Sequence, residues 1–460
     1  MRRPTPPDPS LPDPSPADPS LADPSLAAAT LPAPSGVAKV STGHVRGLDA
    51  LRGLAALTVL VFHVATQTGA TVRWVDGVAQ TNVTSQYSAR LDVGVQVFFA
   101  LSAYLLFRPF LAALYADRDL PSFAAFWWRR FWRIYPGYWV ALFLGAALFY
   151  PTINTWRDGV IFAALIQVYD RWRALGGLAQ AWSLNAEIVL YAFLPLFAGL
   201  LGFATRRSSR RVDQSAPTPP RADATDPASA ARAAGAGART RHYDRVVLLA
   251  LALCVAISFA FRLYLFGANP SWRDQGVTWF PNHLDTFAVG MGLAWAAVVQ
   301  ESRGRTAMPA WLGWLADRPQ WSLAGAWLCF WVVSALGLPL NLTPILGWKA
   351  FAHHGLYTLI AALIVLPGAL GPLRDGVVAR VLTSKPLEWI GEISYGIYLW
   401  HLMMVVYWVD RTGGVAFDAN FWLVLVLTLV SSIVLGWLSW VLVERPLQRG
   451  AARVWASRSR

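Results

Sequence analysis

The chain of 460 residues is strongly apolar and basic. Hydrophobic residues make up 55% of it, charged residues only 14%, and it contains 24 tryptophans. A soluble fold of this length would not bury so much apolar surface, so the composition predicts an all-α, polytopic transmembrane helix bundle. The net charge of +13 is explained by arginine-rich loops on the cytoplasmic side of a membrane, so it does not indicate nucleic-acid binding.

Residues 1–45 form a tail rich in Pro, Ser and Asp, in which Asp-Pro-Ser recurs every five residues. Proline prevents regular hydrogen bonding and little of this segment can be buried, so we expect it to be disordered. No long apolar core follows Arg2 and Arg3, and we therefore expect no cleavable signal peptide.

About ten of the segments that follow are apolar and long enough to span a bilayer. They cover residues 48–66, 92–114, 134–150, 183–204, 245–266, 284–300, 320–338, 353–371, 392–410 and 420–443. Gly159–Val168 is shorter and is expected to be re-entrant or interfacial. With ten spans the basic loops share one side, which predicts a multi-pass plasma (inner) membrane protein with both termini in the cytoplasm. The Arg-rich residues 205–243 are expected to be a flexible cytoplasmic loop, and residues 448–460 a basic tail.

The first span, residues 48–66, carries three ionisable residues, Asp49, Arg52 and His63. Such groups are costly in lipid, at about 2.5–3.5 kcal/mol each near the bilayer centre. The eleven residues from Arg52 to His63 make roughly three helical turns, so the two side chains share one face about 16 Å apart along the axis. Packing against neighbouring helices would explain this stripe, but an imidazole above an arginine favours a reaction or transport path.

Further polar residues fall at related depths in the predicted topology. Glu187 in the fourth span and Asp285 in the sixth lie near the outer level, and Tyr395, Tyr398 and His401 follow the ninth span toward mid-membrane. The candidates for lining a substrate path are Ser102, Asp285, Tyr395, Tyr398 and His401. Ser102 has no base within a turn or two, so we expect it to be a helix-contact hydroxyl rather than a nucleophile.

Arginines and tryptophans are concentrated just before the third span. Arg130 and Arg133 are three residues apart and share a helix face, with Arg129 beside them, in FAAFWWRRFWRIYPGYW. Ordinary membrane anchoring explains such a segment, but guanidinium pairs also bind phosphate, and aromatic rings stack on purines. Acyl-CoA fits this pattern, because its nucleotide could stay at the surface while its thin arm reaches past Arg52 toward His63.

The residues described above and several further motifs occur in the same order as in the acyltransferase 3 family, which the chain therefore resembles. Members of this family are membrane O-acyltransferases that commonly modify sugars. The match extends over about residues 46–447, and the chain is most similar to the stand-alone actinobacterial members. Its motifs are Arg52 and His63 with ten residues between them, FFALSAYLL (98–106), Arg130-x-x-Arg133 followed by Ile-Tyr-Pro, WSLNAE (182–187), SYGIYLWH (394–401) and Glu444-Arg445-Pro446. Ala103 stands where the family usually has glycine. No sizeable domain follows residue 447, whereas relatives that acylate peptidoglycan often carry one.

The resemblance implies a mechanism and a set of site residues. His63 would be the general base for an acceptor hydroxyl, Arg52 would position the donor or stabilise negative charge, and Glu187, with Asp285, would orient the imidazole or the sugar. Arg130, Arg133 and Arg129 would bind acyl-CoA, most simply acetyl-CoA, as a donor substrate and not as a permanently bound cofactor. A covalent acyl-histidine relay is the rival scheme. No His and acidic cluster has metal-ligand spacing, so no metal is expected.

Other functions are compatible with parts of this pattern. A transporter or flippase of a sugar or lipid-linked sugar would also need a polar path, and a catalytically inactive scaffold would not need Arg52, His63 and Glu187 together. Within the enzyme interpretation, the acceptor is a cell-envelope glycan or a glycosylated secondary metabolite. Glu444, next to Arg445, is expected to form an interfacial ion pair at the end of the last helix.

Overall fold

The computed structural model describes residues 47–75, 78–149, 151–215, 227–340, 345–373 and 376–458. The predicted disordered tail, residues 1–45, lies outside these residues. Within the described ranges the secondary structure is almost entirely helical. The helices are α1 Leu48–Gln67, α2 Val83–Ser88, α3 Gly94–Tyr115, α4 Phe123–Leu148, α5 Trp156–Ala163, α6 Trp182–Ser215, α7 Pro227–Gly267, α8 Arg273–Gly276, α9 Phe280–Arg303, α10 Ala310–Asp317, α11 Pro319–Ala335, α12 Trp348–Leu370, α13 Val377–Leu382, α14 Lys385–Arg411, α15 Phe421–Ser439 and α16 Arg445–Arg458.

Shorter elements connect these helices. Strands β1 (Arg73–Val75) and β2 (Val78–Gln80) form an antiparallel hairpin in which Trp74 pairs with Ala79. A π-helical turn, Trp440–Glu444, joins α15 to α16. Short 3₁₀ turns occur at Leu91–Val93, Gln167–Tyr169, Ala179–Ala181 and Arg305–Ala307.

The prediction of a helical fold with membrane-spanning segments is confirmed, and the structure adds one small β-hairpin. Six helical segments of the described chain are long and apolar enough to cross a membrane. Each of the ten segments predicted from the sequence falls largely on a helix of at least 17 residues. The count of about ten spans and the cytoplasmic position of both termini stay predictions. The run Gly159–Val168 falls on α5, whose eight residues extend only about 12 Å, far short of a bilayer core.

Helices extend into segments expected to be flexible. Helix α6 continues to Ser215 and α7 begins at Pro227, so much of the predicted 205–243 loop is helical, and residues 216–226 lie outside the described ranges. Residues 448–458 of the predicted basic tail likewise belong to α16. Alanine and arginine are strong helix formers, and composition alone does not separate an Ala/Arg-rich linker from a helix of the same residues.

Helices α1 and α14 contact each other through their backbones. A Cβ atom added to Gly391 would lie 2.0 Å from the Asp49 carbonyl oxygen, and one added to Gly53 would lie 3.0 Å from the Gly391 nitrogen. Small residues at such crossings allow close approach of two helices. Gly53 and Gly391 are 338 residues apart. His63 and His401, which contact each other nearer the other end of α1, are also 338 residues apart. The two helices therefore run parallel and keep one register.

Candidate functional site

A cavity of about 270 Å³ lies between α1, α3, α4, α6 and α14. It contains both charged and apolar side chains, and most of its polar groups belong to motifs identified in the sequence. Its lining consists of Arg52, Val95, Phe98, Phe99, Ser102, Leu105, Leu106, Arg130, Arg133, Ile134, Ser183, Leu184, Glu187, Tyr191, Ser394, Tyr395 and Tyr398.

Three arginines give the cavity a positive character. Arg52 forms an ion pair with Asp49, at 3.3 Å between Nη1 and Oδ1, and both side chains are mostly buried. Arg130 and Arg133, predicted to share a helix face, both reach the cavity. The Arg130 Nε atom is buried without a hydrogen-bond partner among the described residues. Guanidinium groups held in a partly enclosed space bind an anion with several oxygens well.

Glu187 is the one carboxylate that lines this cavity in the described part of the chain. The Ser102 hydroxyl donates to its Oε1 at 2.5 Å, and the Tyr191 hydroxyl donates to its Oε2 at 3.1 Å. The Ser102 hydrogen is thus engaged by a carboxylate and not by a histidine. This hydrogen bond joins α3 to α6, as expected of a helix-contact hydroxyl.

Tyr395 and Tyr398 reach the cavity from α14, as predicted for path-lining residues. The Tyr395 hydroxyl donates to the Ile134 carbonyl oxygen at 2.6 Å. The Tyr398 hydroxyl lies 3.0 Å from the Gln180 carbonyl oxygen and 2.8 Å from the Ser183 Oγ. Both phenols therefore link α14 to neighbouring elements, and their rings form fixed walls.

His63 and His401 form a pair just beyond this cavity, and neither belongs to its lining. Nδ1 of His63 lies 2.9 Å from the Val59 carbonyl oxygen and 3.1 Å from Nε2 of His401. Nδ1 of His401 lies 2.8 Å from the Tyr398 carbonyl oxygen. A carbonyl oxygen only accepts, so in the neutral rings each Nδ1 carries the hydrogen.

This hydrogen-bond pattern assigns the tautomers of both rings. Nε2 of His401 carries a lone pair and accepts the Nδ1 hydrogen of His63, which it shares with the Val59 carbonyl oxygen. The basic atom of His63 is therefore Nε2. His401 is fully buried, whereas His63 is only half-buried. His401 was predicted to line the substrate path, but it does not line the cavity and instead contacts His63.

The register of α1 and α14 gives the height of the histidine pair above the cavity. Tyr398, which lines the cavity, precedes His401 by three residues, and so lies about 4.5 Å lower along the helix. Phe98 packs edge-on against Tyr398, with 5.7 Å between the ring centroids. These two rings separate the cavity from the level of His63.

Asp285 lies in a different cluster, so its predicted role beside the imidazole or the sugar is not supported. Its Oδ2 pairs with Nη2 of Arg262 at 3.1 Å, and its Oδ1 lies 2.9 Å from Nε2 of His354. These partners come from α7 and α12, because α9 turns this face away from the cavity. The rotation of α9 about its axis, which sets the direction of Asp285, was not predictable from the sequence.

Arg129 is exposed and does not line the cavity, unlike Arg130 and Arg133. Its neighbour Trp128 donates from Nε1 to the Ala451 carbonyl oxygen of α16 at 2.9 Å and packs against Trp455. One residue along a helix rotates the side chain by about 100°, which is enough to remove Arg129 from the site.

Glu444 is buried near the cavity wall instead of pairing with Arg445. It is 3% exposed, its Oε1 accepts from the Ser439 hydroxyl at 3.0 Å, and its carboxyl lies against Gly137 and the Tyr395 ring. The Arg445 guanidinium instead lies 4.8 Å over the Trp440 ring. The π-helical turn inserts one extra residue per turn, which rotates Glu444 inward in a way that α-helical periodicity did not predict.

Ser183 and Tyr191 are cavity residues that the sequence interpretation missed. A signal was present, because they lie four residues before and four residues after Glu187 and therefore share its face on α6.

Fold and site together define a multi-pass helical membrane protein with a cationic cavity below a pair of contacting histidines. The sequence profile of a family described as acyltransferase domain, the acyltransferase 3 family, matches residues 45–441. The chain belongs to this family.

Curated relatives share its sequence at low identity. YrhL of Bacillus subtilis (strain 168), provisionally named a peptidoglycan O-acetyltransferase, is 25% identical over 440 residues, or 90% of this chain and 56% of YrhL. The peptidoglycan O-acetyltransferase OatA of Listeria monocytogenes serovar 1/2a is 22% identical over 428 residues, or 89% of this chain and 57% of OatA. The acyltransferase MdmB of Streptomyces mycarofaciens is 30% identical over 163 residues, or 34% of this chain and 39% of MdmB. The chain thus spans little more than half the length of the first two relatives. No solved structure matches it.

Proposed function

We propose that this protein is an O-acyltransferase of the plasma membrane that moves an acyl group, acetyl in the simplest case, from cytoplasmic acyl-CoA to a hydroxyl of a sugar-containing acceptor. The observation that carries the proposal is the cationic cavity that ends one helical turn below the His63–His401 pair. Family membership and the names of the relatives favour acyl transfer, and the peptidoglycan named in two of them favours a cell-envelope glycan.

The donor site is the cavity together with its arginines. A volume of about 270 Å³ is just below the roughly 300–1,000 Å³ typical of sites that enclose a whole drug-sized ligand. It suits a slender acyl-pantetheine arm, with the nucleotide left outside. Arg130 and Arg133 would bind the anionic part of the donor at the cavity's arginine end. Arg52 lies about 16 Å below His63 along α1, so it would hold the donor and not the reacting carbonyl.

The chemistry is assigned to His63. Its Nε2 accepts the proton of the acceptor hydroxyl while the hydroxyl oxygen attacks the thioester carbonyl carbon. The carbon–sulfur bond breaks, and the thiolate of CoA takes up the proton from the imidazolium. His401 holds His63 in the required tautomer by accepting from Nδ1, a role that a carboxylate fills in many catalytic triads.

Glu187 then has a task in the donor site and not at the imidazole. It accepts from Ser102 and Tyr191 and lies within electrostatic range of Arg52. Its negative charge offsets part of the repulsion between neighbouring guanidinium groups and keeps the arginine cluster stable when no donor is bound.

The deciding experiment combines purified protein in lipid nanodiscs with acetyl-CoA and cell-wall fragments as acceptor. Release of free CoA together with a mass gain of one acetyl group on the glycan would support the proposal. Movement of a labelled glycan across vesicles without CoA release would identify a transporter instead. Mass spectrometry of a deletion strain then separates the acceptors, because an acyl mass is lost either from envelope glycan or from a small glycosylated metabolite.

A further inference from the structure

We propose that Phe98 limits the length of the acyl group that this protein accepts, which makes a two-carbon acyl group the preferred one. The inference rests on the proposed acyl-CoA donor and adds the specificity of its site. It comes from the closed end of the cavity, where Phe98 and Tyr398 face each other below the histidine pair.

The position of Phe98 makes it the ring that closes the cavity. It lies on the second turn of α3 and packs edge-on against Tyr398 of α14. On its other side it packs against the apolar cluster that includes Leu60 and Val64, on the turns of α1 that carry His63. A donor arm that enters from the arginines therefore meets the Phe98 ring before it reaches the level of His63.

The neighbouring walls cannot yield space as easily as Phe98. The Phe99 ring is fully buried and packs against Phe287 with 4.6 Å between ring centroids. Tyr398 is tied through its hydroxyl to the Gln180 carbonyl oxygen and Ser183. Phe98 is only partly buried and its side chain has no polar group, so the size of its ring sets the space left for the acyl group.

The small volume of the cavity indicates that longer acyl groups bind less tightly than short ones. The cavity volume of about 270 Å³ lies below that of sites that enclose a whole drug-sized ligand, so a donor arm inside it leaves little free space beside the Phe98 ring. Each added methylene would then have to displace a packed ring instead of entering free apolar space. Truncation of Phe98 opens space for several methylenes, and each methylene buried there is favourable by about 0.8 kcal/mol, or roughly a factor of four.

The test measures how acyl-CoAs of increasing length displace radiolabelled acetyl-CoA from the full-length protein in nanodiscs. For the wild-type protein we expect acetyl-CoA to bind more tightly than butyryl-, hexanoyl- or octanoyl-CoA. In Phe98→Ala the affinity for hexanoyl-CoA relative to acetyl-CoA should rise about tenfold or more. Phe193→Ala is the matched control, because Phe193 is also a half-buried ring but lies outside the cavity, and it should keep the wild-type order.

The outcomes separate this inference from the proposed function. Wild-type protein that binds all chain lengths equally, or a Phe98→Ala variant that binds acetyl-CoA with the wild-type length preference, overturns the role of Phe98 and leaves the donor assignment intact. Wild-type protein that binds no acyl-CoA overturns both. If Phe98→Ala does not fold, Phe98→Leu removes less volume, and its relative affinity for butyryl-CoA should rise about fourfold.

Discussion

Nε2 of His401 lies 3.1 Å from Nδ1 of His63, so the two imidazoles form a directed pair in which one ring fixes the tautomer of the other. In the motif SYGIYLWH, the last residue thus contacts α1. This relationship connects the first and the ninth predicted spans, and it generates the first two predictions.

His63→Ala should abolish acyl transfer while the protein stays folded in the membrane. The variant loses the only base proposed for the acceptor hydroxyl, and removal of a general base lowers rates by about 10²- to 10⁴-fold. CoA release in nanodiscs measures the effect, and the elution profile in detergent checks folding. Turnover near the wild-type rate would show that His63 takes no part in the chemistry.

His401→Ala should lower kcat for CoA release by about 10- to 100-fold, the range seen when a hydrogen-bond partner of a metal-bound histidine is removed. The KM for acetyl-CoA should change little, because His401 does not line the cavity. His401→Gln should recover part of kcat, since its amide oxygen can accept the Nδ1 hydrogen of His63. Equal loss in both variants would indicate a packing role only.

Arg130→Ala and Arg133→Ala should each raise the KM for acetyl-CoA by about tenfold or more, since a hydrogen bond to a charged group contributes about 1.5–3 kcal/mol. The change in kcat at saturating donor should be small. Arg129→Ala is the matched control one residue away, exposed and outside the cavity. A rise in KM of equal size in all three variants would point to general surface charge instead of a defined donor site.

Ser102→Ala should retain measurable transfer activity, with a loss of about 10- to 150-fold at most. Its hydroxyl donates one hydrogen bond to Glu187, and a typical net contribution of such a bond is about 1.5–3 kcal/mol when the acceptor is charged. Steady-state CoA release measures the loss. Complete inactivation of a folded variant would instead identify Ser102 as a nucleophile.

The loop after α5 provides a prediction on pH. Hydrogen bonds from Arg173 and Thr155 lower the pKa of Asp158, so its ionised form is stabilised in the folded protein. This stabilisation is complete above the unfolded pKa of about 3.9 and is lost as the pH falls through the lower folded value. Hydrogen exchange of residues 156–173 should therefore be slower in the wild type than in Arg173→Ala at pH 6, with the difference disappearing as the pH falls through the lowered pKa of Asp158. A constant difference would exclude this ion pair as its cause.

The sequence predicted the site best where periodicity alone determines geometry. Arg52, Arg130 and Arg133 reach one cavity, as their spacing on helices indicated, and Glu187 joins them. The sequence did not predict which side chains reach the cavity where this depends on how a helix is rotated against its neighbours. Asp285 faces Arg262 and His354 and not the cavity.

Local geometry explains two other differences. Arg129 differs from Arg130 by one residue and hence by about 100° of rotation, so only one of the two enters the cavity. Glu444 reaches the cavity wall because a π-helical turn interrupts the α-helical period, an irregularity without a signature in hydrophobic patterning. Predicting the contact of His63 with His401 would have required the register of α1 against α14, which cannot be read from the sequence.

The contact of Gly53 with Gly391 lies near the opposite end of α1 and α14 from the two imidazoles. Because backbone meets backbone there, the separation of the two helices is set by main-chain atoms and not by interchangeable side chains. The distance between the paired rings is thus fixed in part by a backbone contact roughly 15 Å away along the two helices.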